Sequence, residues 1–197
     1  MELANYDNRR MKMMAEQVAG NIVLDIGYAH MPNQYLTRFD TTGIDLESPP
    51  KEKQIYRRHI ADDIRNIAKH FDQDTVRFDT IVAGEFIEHL ENPYEFLRSI
   101  RPLLGANGRL VLSTPNPMGF PVFLCELFQL KKYFYTIYHT YYFLPRWMHR
   151  VLELSGYEVE KTISVGLWGP FFTLPAPVAL SYQVIYVARP KQELVAK

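Results

Sequence analysis

The sequence has one cysteine, no long apolar run and no excess of charge of either sign, and each shortage removes a class of protein. A lone thiol, Cys125, can form neither an internal disulfide nor a Cys-rich zinc site, which points to a reducing compartment and a small core residue. No stretch reaches the ~20 apolar residues needed to span a bilayer, and the N-terminus MELANYDNRRMKMM lacks an apolar signal core, so a cytoplasmic protein is expected. Lys plus Arg equals Asp plus Glu at 22 each, so no global field draws phosphate backbones and long nucleic acid is disfavoured as a partner. Disorder is excluded as well, because 47% of the residues are hydrophobic and 22% are charged.

What is present fits one α/β domain spanning residues 1–197, with no internal repeat, low-complexity tract or linker. Oligomeric state is not legible. Met11, Met14 and Val18 recur at helical spacing and predict a leading helix over Tyr6 to Val18. Asn21 to Gly27 is a β-branched run ending at a glycine, the pattern of a buried parallel strand entering a turn. Thr42 to Leu46 predicts the second strand, ended by Pro49-Pro50. Arg57 to Ile60 predicts a short third, followed by Asp62 or Asp63 capping a helix that runs to about His70. Phe78 to Ala83 and Gly108 to Thr114 are the fourth and fifth strands, with a helix over Pro93 to Pro102 between them. The alternation predicts a Rossmann-like, doubly wound, mostly parallel sheet. A helix over Leu144 to Leu154, then strands over Tyr157 to Val165 and Ser181 to Ala188, suggests a seven-stranded sheet with an antiparallel final pair. Residues 118–143 are rich in Phe, Tyr and Leu without a strand period and read as an inserted cover on the acceptor side.

In an open α/β sheet, ligands bind beyond the carboxyl ends of the strands, and those positions are polar here. The first strand ends in Asp25-Ile26-Gly27, the second in Asp45-Leu46-Glu47, the third in Asp62-Asp63 and the fourth in Gly84-Glu85. An acid twenty residues after Asp25, Asp45, is placed to accept from both hydroxyls of a ribose. The plain alternative for Asp45 and Asp62 is solvated strand-end acids.

Four segments in order resemble the class I S-adenosylmethionine-dependent methyltransferases: IVLDIG, TTGIDLES, HIADDI and GEFIEHLENPYEFLRSIRPLLGANGRLVLSTPNP. The resemblance covers about residues 21 to 117, with a weaker echo in HTYYFLPRWMHRVLELSGYEVE. It implies S-adenosylmethionine as cofactor, with Asp25, Gly27 and Gly84 along its methionine part and Asp45 and Leu46 at the ribose. Asp62, with Asp63, would meet the adenine. One departure stands out: the loop reads Gly27-Tyr28-Ala29-His30-Met31-Pro32-Asn33, without the family's usual second glycine. Close approach of the backbone must then be managed another way, with Pro32-Asn33 setting the turn.

Glu85-Phe86-Ile87-Glu88-His89, with His139 fifty residues on, is similar to the Glu-x-x-Glu-His metal motif of ubiquinone-pathway and small-RNA O-methyltransferases. Carboxylates at i and i+3 beside imidazoles can converge on one divalent ion, so Glu85, Glu88, His89 and His139 are candidate ligands. Glu85, His89 and His139 are also candidates for direct acid/base work. A helix cap or a polar pocket wall is the bland alternative for the same residues.

The expected activity is O-methylation of a small hydroxylated acceptor, or of one linked to a lipid or sugar. N- or C-methylation of a metabolite, or cofactor binding without turnover, are the alternatives. A nicotinamide dehydrogenase is disfavoured because no Gly-x-Gly-x-x-Gly follows the first strand. Trp168, Phe171 and Phe172, beside prolines, suit either ordinary packing or an apolar surface for acceptor access or peripheral membrane contact.

Overall fold

The computed structural model describes residues 5–71, 77–120, 122–128, 139–168 and 173–191. Strands β1 (Ile22–Ile26), β2 (Asp40–Asp45), β3 (Arg58–Ala61), β4 (Phe78–Gly84) and β5 (Leu104–Pro115) are followed by β6 (Tyr157–Ser164). The pairs β7 (Leu167–Trp168) and β8 (Thr173–Leu174) make a small separate ribbon, and β9 (Gln183–Pro190) returns to the main sheet. That sheet has the order β3-β2-β1-β4-β5-β9-β6. β3 through β5 are mutually parallel, and β9 runs antiparallel to both β5 and β6. The expected seven-stranded, mostly parallel sheet with an antiparallel last pair is therefore the observed one. β5 starts four residues before the expected Gly108, with an irregular register where Phe78 pairs Leu104 and Thr80 pairs Arg109.

Side chains alternate across each strand, so the sheet divides its apolar residues between two covers. One face carries Leu24, Ile44, Ile81, Leu110 and Tyr186, buried under α3 (Pro93–Ile100) and α5 (Pro145–Leu154) through Leu97, Ile100, Met148 and Leu152. The other carries Val23, Val82, Val111 and Ile185 under Met14 and Ala15 of α1 (Asn5–Ala15). α1 is shorter than its apolar spacing suggested, and Val18 lies beyond its end. Likewise α3 stops at Ile100 and gives way to a 3₁₀ turn at Arg101–Leu103, so Phe96, Leu97 and Ile100 form its buried face. Asn92 starts α3 by accepting from Glu95 N at 3.1 Å, with Pro93 in the first turn where its missing N–H costs nothing.

The regular alternation of strand and helix fails at two crossovers. β1 reaches β2, and β2 reaches β3, through 3₁₀ turns at Gln34–Leu36 and Lys51–Lys53, with no α-helix in either. Pro32 and the Pro49-Pro50 pair interrupt both segments, and proline removes a helix donor and clashes with the preceding turn. Tyr28, Leu36 and Tyr56 fill the space instead, packed on Val23 and Val82. Beyond β3, Asp63 rather than Asp62 is the cap: it accepts from Arg65 N at 2.9 Å and starts a 3₁₀ turn leading into the single turn α2 (Ile67–His70). Within the expected cover over 118–143, the structure gives a short helix α4 (Val122–Leu127). Residue 121, residues 129–138, Phe171, Phe172 and the Trp168 side chain lie outside the described residues.

Candidate active site

The carboxyl ends of β1, β2 and β4 open on two adjoining cavities. The larger, about 640 Å³, is lined by Arg10, Asp25, Gly27, Gly84, Glu85 and His139 among others. A second of about 480 Å³ runs past Asp63, Ile64 and Asn92. Ile26, Asp45, Leu46, Phe86 and His89 border both, so the two form one cleft across the sheet edge. Of the candidate cofactor and metal residues named from the sequence, Asp62 and Glu88 are absent from its lining.

At the β1 end, Gly27 has φ +75° and any Cβ there would sit 2.3 Å from the Phe86 ring, so both conformation and space demand glycine. The next residue, Tyr28, lines the same cavity and is itself buried. The Tyr28 ring turns onto Gly43 of β2, where an added Cβ would lie 2.6 Å from it, and its hydroxyl meets His59 Nδ1 at 2.8 Å. Ala29 N–H then donates to Asp45 Oδ2 at 2.7 Å, while Leu46 N–H donates to Asp45 Oδ1 at 2.7 Å. Each Asp45 oxygen retains a lone pair for a further donor. Asn33 ends the loop by accepting from Tyr35 N at 3.0 Å and donating to Met11 O at 3.0 Å, which fits the expected turn at Pro32-Asn33.

Asp25 is 5% exposed and accepts a 2.6 Å bond from the Tyr56 hydroxyl. Burial pushes its carboxyl up to about 7, against the opposing pull of the Tyr56 bond and of Arg10. Arg10 reaches the same cavity from α1 and is itself 5% exposed. Its guanidinium donates to Ser113 Oγ at 3.2 Å and to Asp7 Oδ1 at 3.3 Å, while its Nε is buried without a partner among the described residues.

Glu85 alone among the described non-glycine residues has a left-handed backbone, φ +52°, a conformation that costs energy without glycine and often marks functional turns. That turn sends its carboxylate toward β5 and β9: it accepts from Ser113 Oγ at 3.0 Å and from Gln183 Nε2 at 3.1 Å, with Arg10 4.0 Å away. Burial raises its carboxyl above the usual range.

Glu88, His89 and His139 form a separate group whose candidate ligand atoms all lie within 4.8 Å of one another. The long sequence gap closes because Thr140 N and Tyr141 N donate to Glu88 O at 2.7 and 3.2 Å. The two imidazoles meet edge to face with centroids 4.6 Å apart. Glu88 is 1% exposed and neither carboxylate oxygen has a hydrogen-bond partner in another described residue, an arrangement that costs energy unless something else arrives. Burial, then Glu85, holds its carboxyl well above the ordinary range. Burial, then His89, pushes the His139 imidazole down to about 4. The fourfold set expected from the sequence is thus a trio, with Glu85 turned to other partners.

Asp62 lines neither cavity. Asn66 Nδ2 donates to it at 2.8 Å and His70 Nε2 lies 2.6 Å from it, and these bonds push its carboxyl down to about 2. Asp63 lines the smaller cavity, gripped by Arg65 through contacts of 2.6 to 3.1 Å. Sequence reasoning missed Arg10, Tyr56, Ser113 and Gln183. Arg10 precedes Met14 by one helical turn and so shares its buried face, a signal present in the sequence. Tyr56 had none, since it sits in an irregular stretch before β3.

An open, mostly parallel sheet with one antiparallel strand, β9, an acid at the ends of β1 and β2 and a glycine turn between them has the form of a Rossmann-like nucleotide-cofactor site. A family model described as a methyltransferase domain matches residues 3–162. The chain belongs to this methyltransferase-domain family, whose cofactor the resemblance of the four segments above implies to be S-adenosylmethionine. It is 28% identical over 105 residues to the mitochondrial ubiquinone biosynthesis O-methyltransferase of Schizosaccharomyces pombe, a match over 49% of this chain and 38% of that enzyme's length. Among solved structures, a possible histamine N-methyltransferase from Thermotoga maritima superposes with a TM-score of 0.71 at 12% identity, covering 94% of this chain and 89% of that one. The small RNA methyltransferase HEN1 superposes with a TM-score of 0.67 at 18% identity, over 98% of this chain and 27% of its own. Among the described residues no helix is long and apolar enough to cross a membrane.

Proposed function

We propose that the chain, as one domain, methylates an oxygen of a small hydroxylated acceptor, one able to carry a lipid or sugar group, with a divalent cation at Glu88, His89 and His139. The observation that carries this reading is Glu88: a carboxylate 1% exposed, with neither oxygen partnered among the described residues, beside two histidines. A buried carboxylate and two imidazoles form a donor set suited to a hard or borderline divalent ion. Such an ion, when bound, would lower the pKa of an acceptor hydroxyl.

The remaining residues then divide by position. Asp45 takes the ribose hydroxyls on its free lone pairs. The adenine lies along the smaller cavity, where it would cover Leu46, 69% exposed, and run past Ile64 and Asp63. The methionine end enters beside Asp25, Gly27 and Gly84, and the buried Arg10 guanidinium faces its carboxylate. Glu85, fixed by Ser113 and Gln183, holds Arg10 in place and does not bind the ion. Methyl transfer needs nucleophile, methyl and sulfur in line: the carbon–sulfur bond breaks as the carbon–oxygen bond forms, and the acceptor proton leaves to water, or to His89 or His139 where no ion occupies them. Met118, Phe120, Phe123, Leu127 and Phe128 expose apolar surface that suits an acceptor with an apolar portion.

The test is S-adenosylhomocysteine formation with 3,4-dihydroxybenzoate and with its diamino counterpart, each in chelator and after adding back Mg²⁺, Mn²⁺, Co²⁺ or Zn²⁺. Cation-dependent transfer to the hydroxylated probe is expected. Equal or better transfer to the amine in chelator would instead support N-methylation without an ion.

A further inference from the structure

Tyr56 comes from the stretch between Pro50 and β3, yet its hydroxyl makes two of the shortest contacts in the cleft. It donates to Asp25 Oδ2 at 2.6 Å, accepts from Asn33 N at 2.7 Å and lies 3.3 Å from Asn33 O. The ring is 7% exposed, 5.2 Å from the Tyr28 centroid and stacked 6.0 Å from that of His59. Burial, reinforced by the Asp25 charge, raises the phenol far above its ordinary range, so it keeps its proton and stays a donor. One oxygen thus ties the end of β1 to the far end of the Gly27–Asn33 loop, across the crossover that has no α-helix.

We propose that Tyr56 is a positioning residue, holding Asp25 and Asn33 in the geometry that receives the ammonium end of the cofactor, and that cofactor entry at this pair releases a proton to solvent. The inference rests on the placement of the methionine end beside Asp25 given above. Burial of Asp25 outweighs the Tyr56 bond and leaves its carboxyl pushed up to about 7. The other groups around that end of the cavity are Asp7 and Arg10 on α1, Asp45 on β2, Glu85 after β4, and Tyr28 and His30 on the loop. Arg10 favours the charged form of Asp25 and Asp45 opposes it. An incoming ammonium adds an opposite charge at Asp25, so the carboxyl gives up its proton to the buffer as the ion pair forms. The Tyr56 hydroxyl acts in the same direction, since a donor to a carboxylate favours its ionised form.

The experiment is titration calorimetry with S-adenosylhomocysteine, which carries the same ammonium, in two buffers of different ionisation enthalpy, with dissociation constants measured from about pH 5.5 to 8.5 across the Asp25 range. Wild type is expected to release close to one proton below about pH 7, with affinity rising toward that pH and level above it. Tyr56→Phe keeps the ring and loses the hydroxyl; affinity near pH 6 should fall about tenfold and the level region should begin at higher pH. Asp25→Asn should bind with no pH dependence over this range, which separates Asp25 from His30. A Tyr56→Phe protein whose affinity drops equally at every pH would show the hydroxyl to be merely structural and overturn the proposal. Wild-type heats that are the same in both buffers would overturn it without any variant. A weakened but still pH-dependent Asp25→Asn would retain the cofactor placement and refute the proton linkage.

Discussion

The two halves of the cleft are built on opposite principles. In the half proposed to take the cofactor, Asp45 and Asn33 have their polar atoms engaged by backbone groups. At the half proposed for the acceptor, Glu88 lies behind the lining, is more deeply buried than either and has no partner for its carboxylate in another described residue, although it stands beside His89 and His139. The first half is organised before any ligand binds; the second is left with an electrostatic deficit that a cation or a donor must fill. Satisfied polar groups stabilise the fold, whereas buried unsatisfied ones cost about 1–3 kcal/mol each and so mark where stability was given up for chemistry.

Asp25 is the exception on the cofactor side, and it offers the largest expected effect. A carboxyl at about 7 in the folded protein against its ordinary value of 3.8 binds a proton more tightly when folded, so this group stabilises the empty protein at low pH. That stability should be lost as pH rises from about 4 to 7 and stay lost above, by up to about 4 kcal/mol. Urea unfolding of wild type and Asp25→Asn across this range measures it. The difference between the two proteins should shift with pH in that window alone, and a constant difference would place Asp25 with the ordinary, satisfied groups.

Glu88→Met separates the halves next. Replacing a buried, unpartnered carboxyl by an apolar chain of similar volume should raise stability by about 1–2 kcal/mol. Transfer to the hydroxylated probe should fall by about 100-fold, or about 2.7 kcal/mol. A destabilised variant would mean that Glu88 has a structural partner, and the contrast between the halves would fail.

Asp45→Ala should behave in the reverse way, weakening S-adenosylhomocysteine binding by about 1.5–3 kcal/mol, the range for hydrogen bonds to charged groups. Unchanged affinity in a calorimetric titration would remove Asp45 from the site. The smallest effect is expected from Phe171→Ser with Phe172→Ser, which should alter cofactor affinity by no more than about twofold because these residues lie outside the cofactor-matching segments. A large loss in a folded protein would extend the cofactor half into the aromatic region.

Legibility in the sequence follows the same division. The strands could be read because Ile22 to Ile26 and Phe78 to Gly84 are short apolar runs closed by turn residues, and the candidate acids because they sit at strand ends. What escaped depends on contacts distant in the chain. Tyr56 reaches Asp25 across 31 residues and Gln183 reaches Glu85 across 98, and no local pattern announces either. Asp62 and Asp63 are adjacent acids that the sequence could not tell apart; His70 claims one and the cap at Arg65 the other. The Glu85 to His89 motif was legible as a group, but the left-handed turn at Glu85 that splits it was not.

Titration of the chain with Mn²⁺ in the presence of S-adenosylhomocysteine, beside the same titration of Glu88→Met, tests most directly whether the acceptor half is a cation site. One Mn²⁺ per wild-type chain, lost in Glu88→Met while S-adenosylhomocysteine still binds both proteins, is the result expected. Binding of no Mn²⁺ by the wild type, or equal binding by Glu88→Met, would contradict it.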